Sequence, residues 1–347
     1  MKHLFGIFIP LCICSFIAFG ISVAILGTEG STASAEDSGI YEETESSWTR
    51  TLEGEYSKIE IDAGALDVKL IPADTEVTTI SYTGETNSST IKTELKGDTL
   101  KIDADQFFSF SGIQKLIDKI VEGIKNGFVF DFSESTLEIT VPNKIYEKLD
   151  IDEGSGTITV NGVNALRYDF DIGSGAFYYN GGDFSAEKVE LDLGSGFFSL
   201  KNMRTSEYDI DVGSGSFDIS GLTGKGEFNM GSGNGTLGFG KVNGNSFIEV
   251  GSGSLTVSVP SDTKAVITAD IGSGSVSVNA CGANTSLGDK QKVTLGGGGY
   301  EIKTELGSGS VRFVDSDSDA IAYEEVVVSS YPDTITTTAL YSEAAAA

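Results

Sequence analysis

Polar and apolar residues alternate in short runs through most of the chain, as in Tyr208-Asp-Ile-Asp-Val212 and Val276-Ser-Val278. A period of two predicts strands with one buried face. The strands come in pairs joined by a Gly-Ser-Gly corner, whose first glycine recurs at Gly154, Gly173, Gly194, Gly213, Gly231, Gly251, Gly272 and Gly307. The first seven are separated by 19, 21, 19, 18, 20 and 21 residues. Apolar residues flank each corner at fixed offsets, among them Phe177, Phe198 and Phe217 four positions after its first glycine. An outlying copy fills the same slots with Asp62, Gly64, Val68 and Leu70.

A unit of about 20 residues cannot bury its own apolar face, whereas stacked units can. The repeat therefore predicts an all-β, quasi-one-dimensional β-solenoid over 51–314. Its phenylalanines form an internal ladder, and its glycines permit positive φ and a sharp corner where a side chain would clash. An up-and-down barrel or sandwich would not demand the same residue class at the same offset in every unit.

Two stretches depart from the repeat. Ile91–Leu95 and Leu100–Ala104 alternate around Gly97-Asp98, the signature of a hairpin. Ile113, Leu116, Ile117, Ile120, Val121 and Ile124 then follow helical spacing, with Ser111 as N-cap and Asn126-Gly127 as stop. This predicts a short amphipathic helix over 111–126 that caps or flanks the solenoid. The adjacent Phe107, Phe108 and Phe110 are a candidate partner patch.

The repeat resembles a known family. Leu137-Glu-Ile-Thr-Val-Pro142, Leu149-Asp-Ile-Asp-Glu-Gly-Ser-Gly156 and Tyr208-Asp-Ile-Asp-Val-Gly-Ser-Gly-Ser-Phe217 are similar to bacterial surface β-strand-repeat proteins grouped as a "putative adhesin" domain of unknown function. Val259-Pro260 and Ala269-Asp-Ile-Gly-Ser-Gly274 extend the likeness over roughly 51–314. The resemblance implies an envelope-associated protein, in some members tied to envelope stress, and carries over no catalytic residue.

The N-terminus has a different pattern. Lys2 and His3 precede an uncharged run from Leu4 to Leu26, 23 residues long, and a membrane span needs about 20. Residues 1–35 read as a signal peptide or membrane anchor. The outcome is a single-pass protein facing outward, or a secreted one if cleavage follows Ala35. Residues 36–50 read as a linker and 315–347 as an acidic, low-complexity tail.

Charge and composition narrow the chemistry. The chain carries 51 acidic and 23 basic side chains, a net charge of −28, which disfavours nucleic acid as a partner. The only histidine is His3, in the leader. No histidine-based triad or metal site can therefore exist in the body. Cys281 is the lone cysteine outside the leader, so no internal disulfide forms there.

The one repeated polar feature is the residue two before each corner: Asp152, Asp171, Asp192, Asp211, Asn229, Glu249, Asp270 and Glu305. If stacked outward, these carboxylates repel. They could gather a cation such as Ca²⁺, or accept corner N–H bonds, or simply face water. No cofactor is expected. The sequence thus favours a non-catalytic surface module for adhesion or envelope-stress sensing. Its partner would be an envelope component, a cationic peptide or another surface ligand. The alternative is a polysaccharide-acting β-helix hydrolase or lyase.

Overall fold

The computed structural model describes residues 47–84, 91–104, 135–181 and 184–316. The apolar segment 4–26, the helix expected at 111–126, Phe107, Phe108 and Phe110, and the tail beyond 316 lie outside the described residues. Regular structure in the described residues is all strand. The chain opens with β1 Ser47–Leu52, β2 Lys58–Gly64, β3 Asp67–Ala73, β4 Thr78–Thr83, β5 Lys92–Lys96, β6 Thr99–Asp103 and β7 Thr136–Pro142. The repeat follows as β8 Ile145–Glu153, β9 Thr157–Asn161, β10 Asn164–Ile172, β11 Ala176–Asn180, β12 Ser185–Leu193 and β13 Phe197–Lys201. It continues as β14 Arg204–Val212, β15 Ser216–Leu222, β16 Lys225–Met230, β17 Asn234–Phe239, β18 Ser246–Val250 and β19 Ser254–Val259. The last strands are β20 Ala265–Ile271, β21 Ser275–Ala280, β22 Ala283–Leu287, β23 Gln291–Leu295, β24 Tyr300–Leu306 and β25 Ser310–Asp315.

These strands form two large, mostly parallel sheets, as a solenoid requires. Sheet I has 13 strands in the order β1-β4-β7-β3-β9-β11-β13-β15-β17-β19-β25-β21-β22. Sheet II has 12, in the order β23-β20-β24-β18-β16-β14-β12-β10-β8-β2-β6-β5. Each Gly-Ser-Gly corner carries the chain from sheet II to sheet I. The alternating apolar residues of both sheets meet inside, where Ile151, Phe170, Leu191, Ile210, Phe228 and Ile248 are at most 2% exposed. Phe177 and Phe198 lie in register, and Phe198 stacks on Phe217 at 5.4 Å. Burying each such side chain contributes about 1.5–3 kcal/mol.

Two large rings bridge rungs over a glycine. A Cβ on Gly226 would lie 2.7 Å from the Tyr208 ring, and one on Gly235 would lie 2.6 Å from the Phe217 ring. The Tyr208 hydroxyl thereby reaches Ser246 Oγ at 2.6 Å, two strands away.

The rungs do not stack strictly in sequence. β2 and its corner at Gly64 lie directly on the Gly154 rung. At the other end the Gly307 rung sits between those of Gly251 and Gly272. The sheet ends are covered by antiparallel strands: β5 and β23 on sheet II, β1 with β4 and β22 on sheet I. Parallel rungs leave open ladders, and an antiparallel hairpin is the shortest way to pair them.

The corners explain the glycines, though not through positive φ. Apart from Gly64 (φ 59°), no corner glycine has a positive φ. The cause is close approach between rungs. Ser174, Ser195 and Ser214 donate their N–H groups to Gly154, Gly173 and Gly194 carbonyls at 2.8, 2.9 and 2.8 Å. A Cβ on Gly213 would then lie 2.7 Å from Gly194 O, and one on Gly196 would lie 2.1 Å from Gly175 O. Gly213→Ala should destabilise the protein by about 2 kcal/mol through overpacking against backbone. Ser214→Ala, at an exposed position of the same corner, should stay within about 0.5 kcal/mol of wild type. Urea titration measures both, and equal stabilities would contradict the close-packed corner.

Candidate functional site

The strand register brings the acids before each corner into one row on the outside of sheet II. Asp103, Asp62, Asp152, Asp171, Asp192, Asp211, Asn229, Glu249, Glu305 and Asp270 stand on successive strands. All six carboxylates of the candidate cation ladder (Asp152, Asp171, Asp192, Asp211, Glu249, Asp270) are exposed. The parallel register adds Asp62 and Asp103 at one end and sets Glu305 between Glu249 and Asp270. Asn229 donates its amide N–H to Asp211 Oδ1 at 2.8 Å, easing one contact in the row.

A second acidic row lies two residues further from the corners: Glu60, Asp150, Asp169, Glu190, Asp209 and Glu227. Beyond it runs a basic row of Lys58, Lys148, Arg167 and Lys188, broken by Glu207 and resumed by Lys225. Lys148 Nζ bridges Asp150 and Asp169 at 2.7 and 2.8 Å, and Lys188 pairs with Glu190. At the ends Lys101 pairs with Glu60 and Lys303 with Glu305. Such exposed pairs contribute at most about 1 kcal/mol each, but they place positive charge chiefly on the second acidic row. Crowding follows in the first. Asp171 is pushed above the ordinary carboxylate range by partial burial, then by Asp192 and Asp169. Asp209, in the second row, shifts the same way through partial burial, then Asp211 and Glu227.

The outside of sheet I is chemically different. Its rows read Thr157, Ala176, Phe197, Ser216, Asn234, Ser254, Ser310, Ser275 and Thr159, Tyr178, Ser199, Asp218, Thr236, Thr256, Arg312, Ser277. Along these strands the two rows hold only Asp218 and Arg312 as charges, and the second row continues onto β3 and β7 as the ion pair Lys69–Glu138, so acids and bases on that row balance. The acidic surplus among the described strands is therefore one-sided. Among the described residues no group of three or more His, Cys, Asp or Glu side chains is placed to hold a metal ion. A row spaced by one strand each presents a line of charge, whereas a calcium site needs 6–8 converging oxygens.

One ionisable group lies inside. Glu153 occupies the inward position that Ile172, Leu193, Val212, Met230 and Val250 hold on other rungs, and it is 1% exposed. Its Oε1 accepts the Gly156 N–H, while Oε2 is buried without a partner among the described residues. Burial, then the nearby Asp67, outweighs the backbone hydrogen bonds and pushes its pKa up to about 8. Cys281 is half-buried at φ 51°, and its Sγ contacts Pro260 O at 3.4 Å. Burial, followed by Asp315, raises its pKa, the opposite of an activated thiolate. No helix among the described residues is long and apolar enough to cross a membrane.

Glu153 makes stability pH-dependent with a definite sign. Its folded pKa of about 8 exceeds the ordinary 4.5, so between these values the folded state holds a proton that the unfolded state has released. Wild-type stability therefore falls as pH rises through this window. Glu153→Gln cannot ionise. Its stability relative to wild type should grow by about 1.4 kcal/mol per pH unit across the window and level off above it. Melting curves from pH 4.5 to 9 measure this, and a constant difference would show that Glu153 is charged throughout.

No curated protein matches the chain. Among solved structures, a "putative lipid binding protein" from Parabacteroides distasonis is 19% identical, with 78% of this chain and 97% of that chain covered and a TM-score of 0.49. A "putative adhesin" from Bacteroides fragilis is 14% identical, with 79% and 98% covered and a TM-score of 0.44. A "putative cell adhesion protein" from Clostridium sporogenes is 15% identical, with 78% and 98% covered and a TM-score of 0.25. The family model described as Toastrack DUF4097 matches residues 56–318, most of the chain and all of its stacked corners. The protein belongs to the Toastrack DUF4097 family.

Proposed function

We propose that this protein is a non-catalytic, exported surface-interaction module, of the adhesion or envelope-sensing kind. The segment 4–26 directs export and either tethers the protein to its own membrane or is cleaved. The solenoid would present the outside of sheet II to cationic ligands such as basic peptides or amine-bearing envelope components. The observation that carries this reading is the pair of acidic rows in register along sheet II, set against a sheet I whose few charges nearly balance. A line of like charges on a rigid support projects a field beyond contact distance and raises the encounter rate with positive partners. The absence of histidine from the body of the chain removes the commonest general base and supports a binding role over a hydrolytic one.

Titration of the protein with a decalysine peptide tests the reading. Affinity should fall at least about tenfold between about 0.1 M and 1 M salt, as the screening length shrinks from about 10 to 3 Å. Replacing Asp171, Asp192 and Asp211 together by Asn should weaken low-salt binding and flatten the salt dependence. Binding that ignores both salt and these substitutions would overturn the electrostatic account.

A further inference from the structure

The outside of sheet II is not level. β8, β10, β12 and β14 have nine residues each, whereas β16 has six, β18 five and β24 seven. The shorter strands begin further along the rung, so the sheet edge steps back beside Ser185 and Thr205. The step leaves two adjoining depressions of about 520 and 480 Å³ that share Lys225 and Asn245. Both are open to solvent along the sheet surface rather than enclosed. The buried Gly224 and Gly244 contribute main chain to the lining.

The trough is built, with donors and acceptors held in place. Asn243 Oδ1 accepts the Gly224 N–H at 2.7 Å, and Asn245 Oδ1 accepts the Glu301 N–H at 3.0 Å. Each amide thus uses its oxygen to hold the wall and keeps its NH2 donors uncommitted among the described residues. Lys225 is exposed and has no ion-pair partner among the described residues. Tyr300 lines one depression and is 48% exposed, one of three large hydrophobic side chains exposed among the described residues. Phe247 lines the other, with Lys303 Nζ 5.1 Å from its ring centroid. Three lysines (Lys188, Lys225 and Lys303) stand among the four carboxylates of Glu207, Asp209, Glu227 and Glu301; Lys188 and Lys303 are already paired with Glu190 and Glu305, which leaves Lys225 as the lysine of the lining free to meet a ligand.

We propose that this trough binds a neutral glycan, its sugar rings stacked on Tyr300 and Phe247 and its hydroxyls bonded by Asn243, Asn245 and Lys225. Sugar hydroxyls both donate and accept, which matches a wall of mixed amides, hydroxyls, carboxylates and amines. An open, polar trough does not desolvate an apolar ligand well, while an aromatic face beside polar groups suits a ring that is apolar on one side. This inference goes beyond the attraction of cationic ligands, because a neutral glycan feels no such field.

The test is native affinity electrophoresis of the full-length chain in neutral detergent, through gels containing galactomannan, xyloglucan or dextran. Retardation by at least one polysaccharide is expected, unchanged by added salt. Tyr300→Ala and Lys225→Ala should each weaken it, the former about tenfold, equivalent to about 1.4 kcal/mol. Tyr178→Ala, an exposed ring on sheet I, should leave it unchanged. The proposal is overturned if none of the three gels retards the protein, if salt abolishes the retardation, or if both trough variants behave as wild type.

Discussion

The close approach of backbone to backbone at the Gly-Ser-Gly corners is the constraint on which everything else depends. Serine N–H groups on one rung bond glycine carbonyls on the next at about 2.8–2.9 Å, which fixes the rungs in register at the point where the chain changes sheets. With the corners aligned, every side chain at a given offset must meet its counterpart on the neighbouring rung. Apolar rows thereby fuse into one core, and polar rows become continuous surface stripes. A side chain at the corner would push the rungs apart and blur both.

The same register produces the electrostatic character of the molecule. Acids spread evenly over a globular surface would largely be screened from one another by salt. Here they are held one strand apart, where neighbouring acids add to partial burial in raising the pKa of Asp171 and Asp209. The core provides the stability against which this repulsion acts. The lysines beside the second acidic row moderate it at small individual gain, while Asn229 interrupts the first. Sheet I, built from the same repeat, offers mostly hydroxyls and amides. One scaffold thus carries two chemically distinct faces, and a step in the charged one where strands shorten.

Much of this was legible in the residues. Period-2 alternation and a corner every 18–21 residues specify stacked strands, while the acid two before each corner marks a row whose outward direction the strand register supplies. The hairpin at Gly97-Asp98 follows from its turn residues and forms as β5 and β6. Other features depend on which rung lies beside which. The Gly307 rung inserts between those of Gly251 and Gly272, an order that local pattern does not encode. At the corners the expected clash of a side chain is real and positive φ is confined to Gly64, but what the side chain would strike, the carbonyl of a neighbouring rung, leaves no local trace. Nothing in the local pattern marks Gly226 and Gly235 as the places where the rings of Tyr208 and Phe217 lie against the neighbouring strand. Glu153 was visible as the one acid in an apolar slot, and its burial could have been anticipated from the offset alone. The trough could not, since it arises from differences in strand length across four rungs.

Amide hydrogen exchange at the corners tests the central claim most directly. The N–H groups of Ser174, Ser195, Ser214, Ser232 and Ser252, each bonded to a glycine carbonyl of the neighbouring rung, should exchange only through large-scale unfolding, with protection close to that of core strand amides. Exchange at these serines as fast as at the tight turn of Gly297 would mean that the corners are open loops, and that neither the register nor the aligned rows it creates is held there.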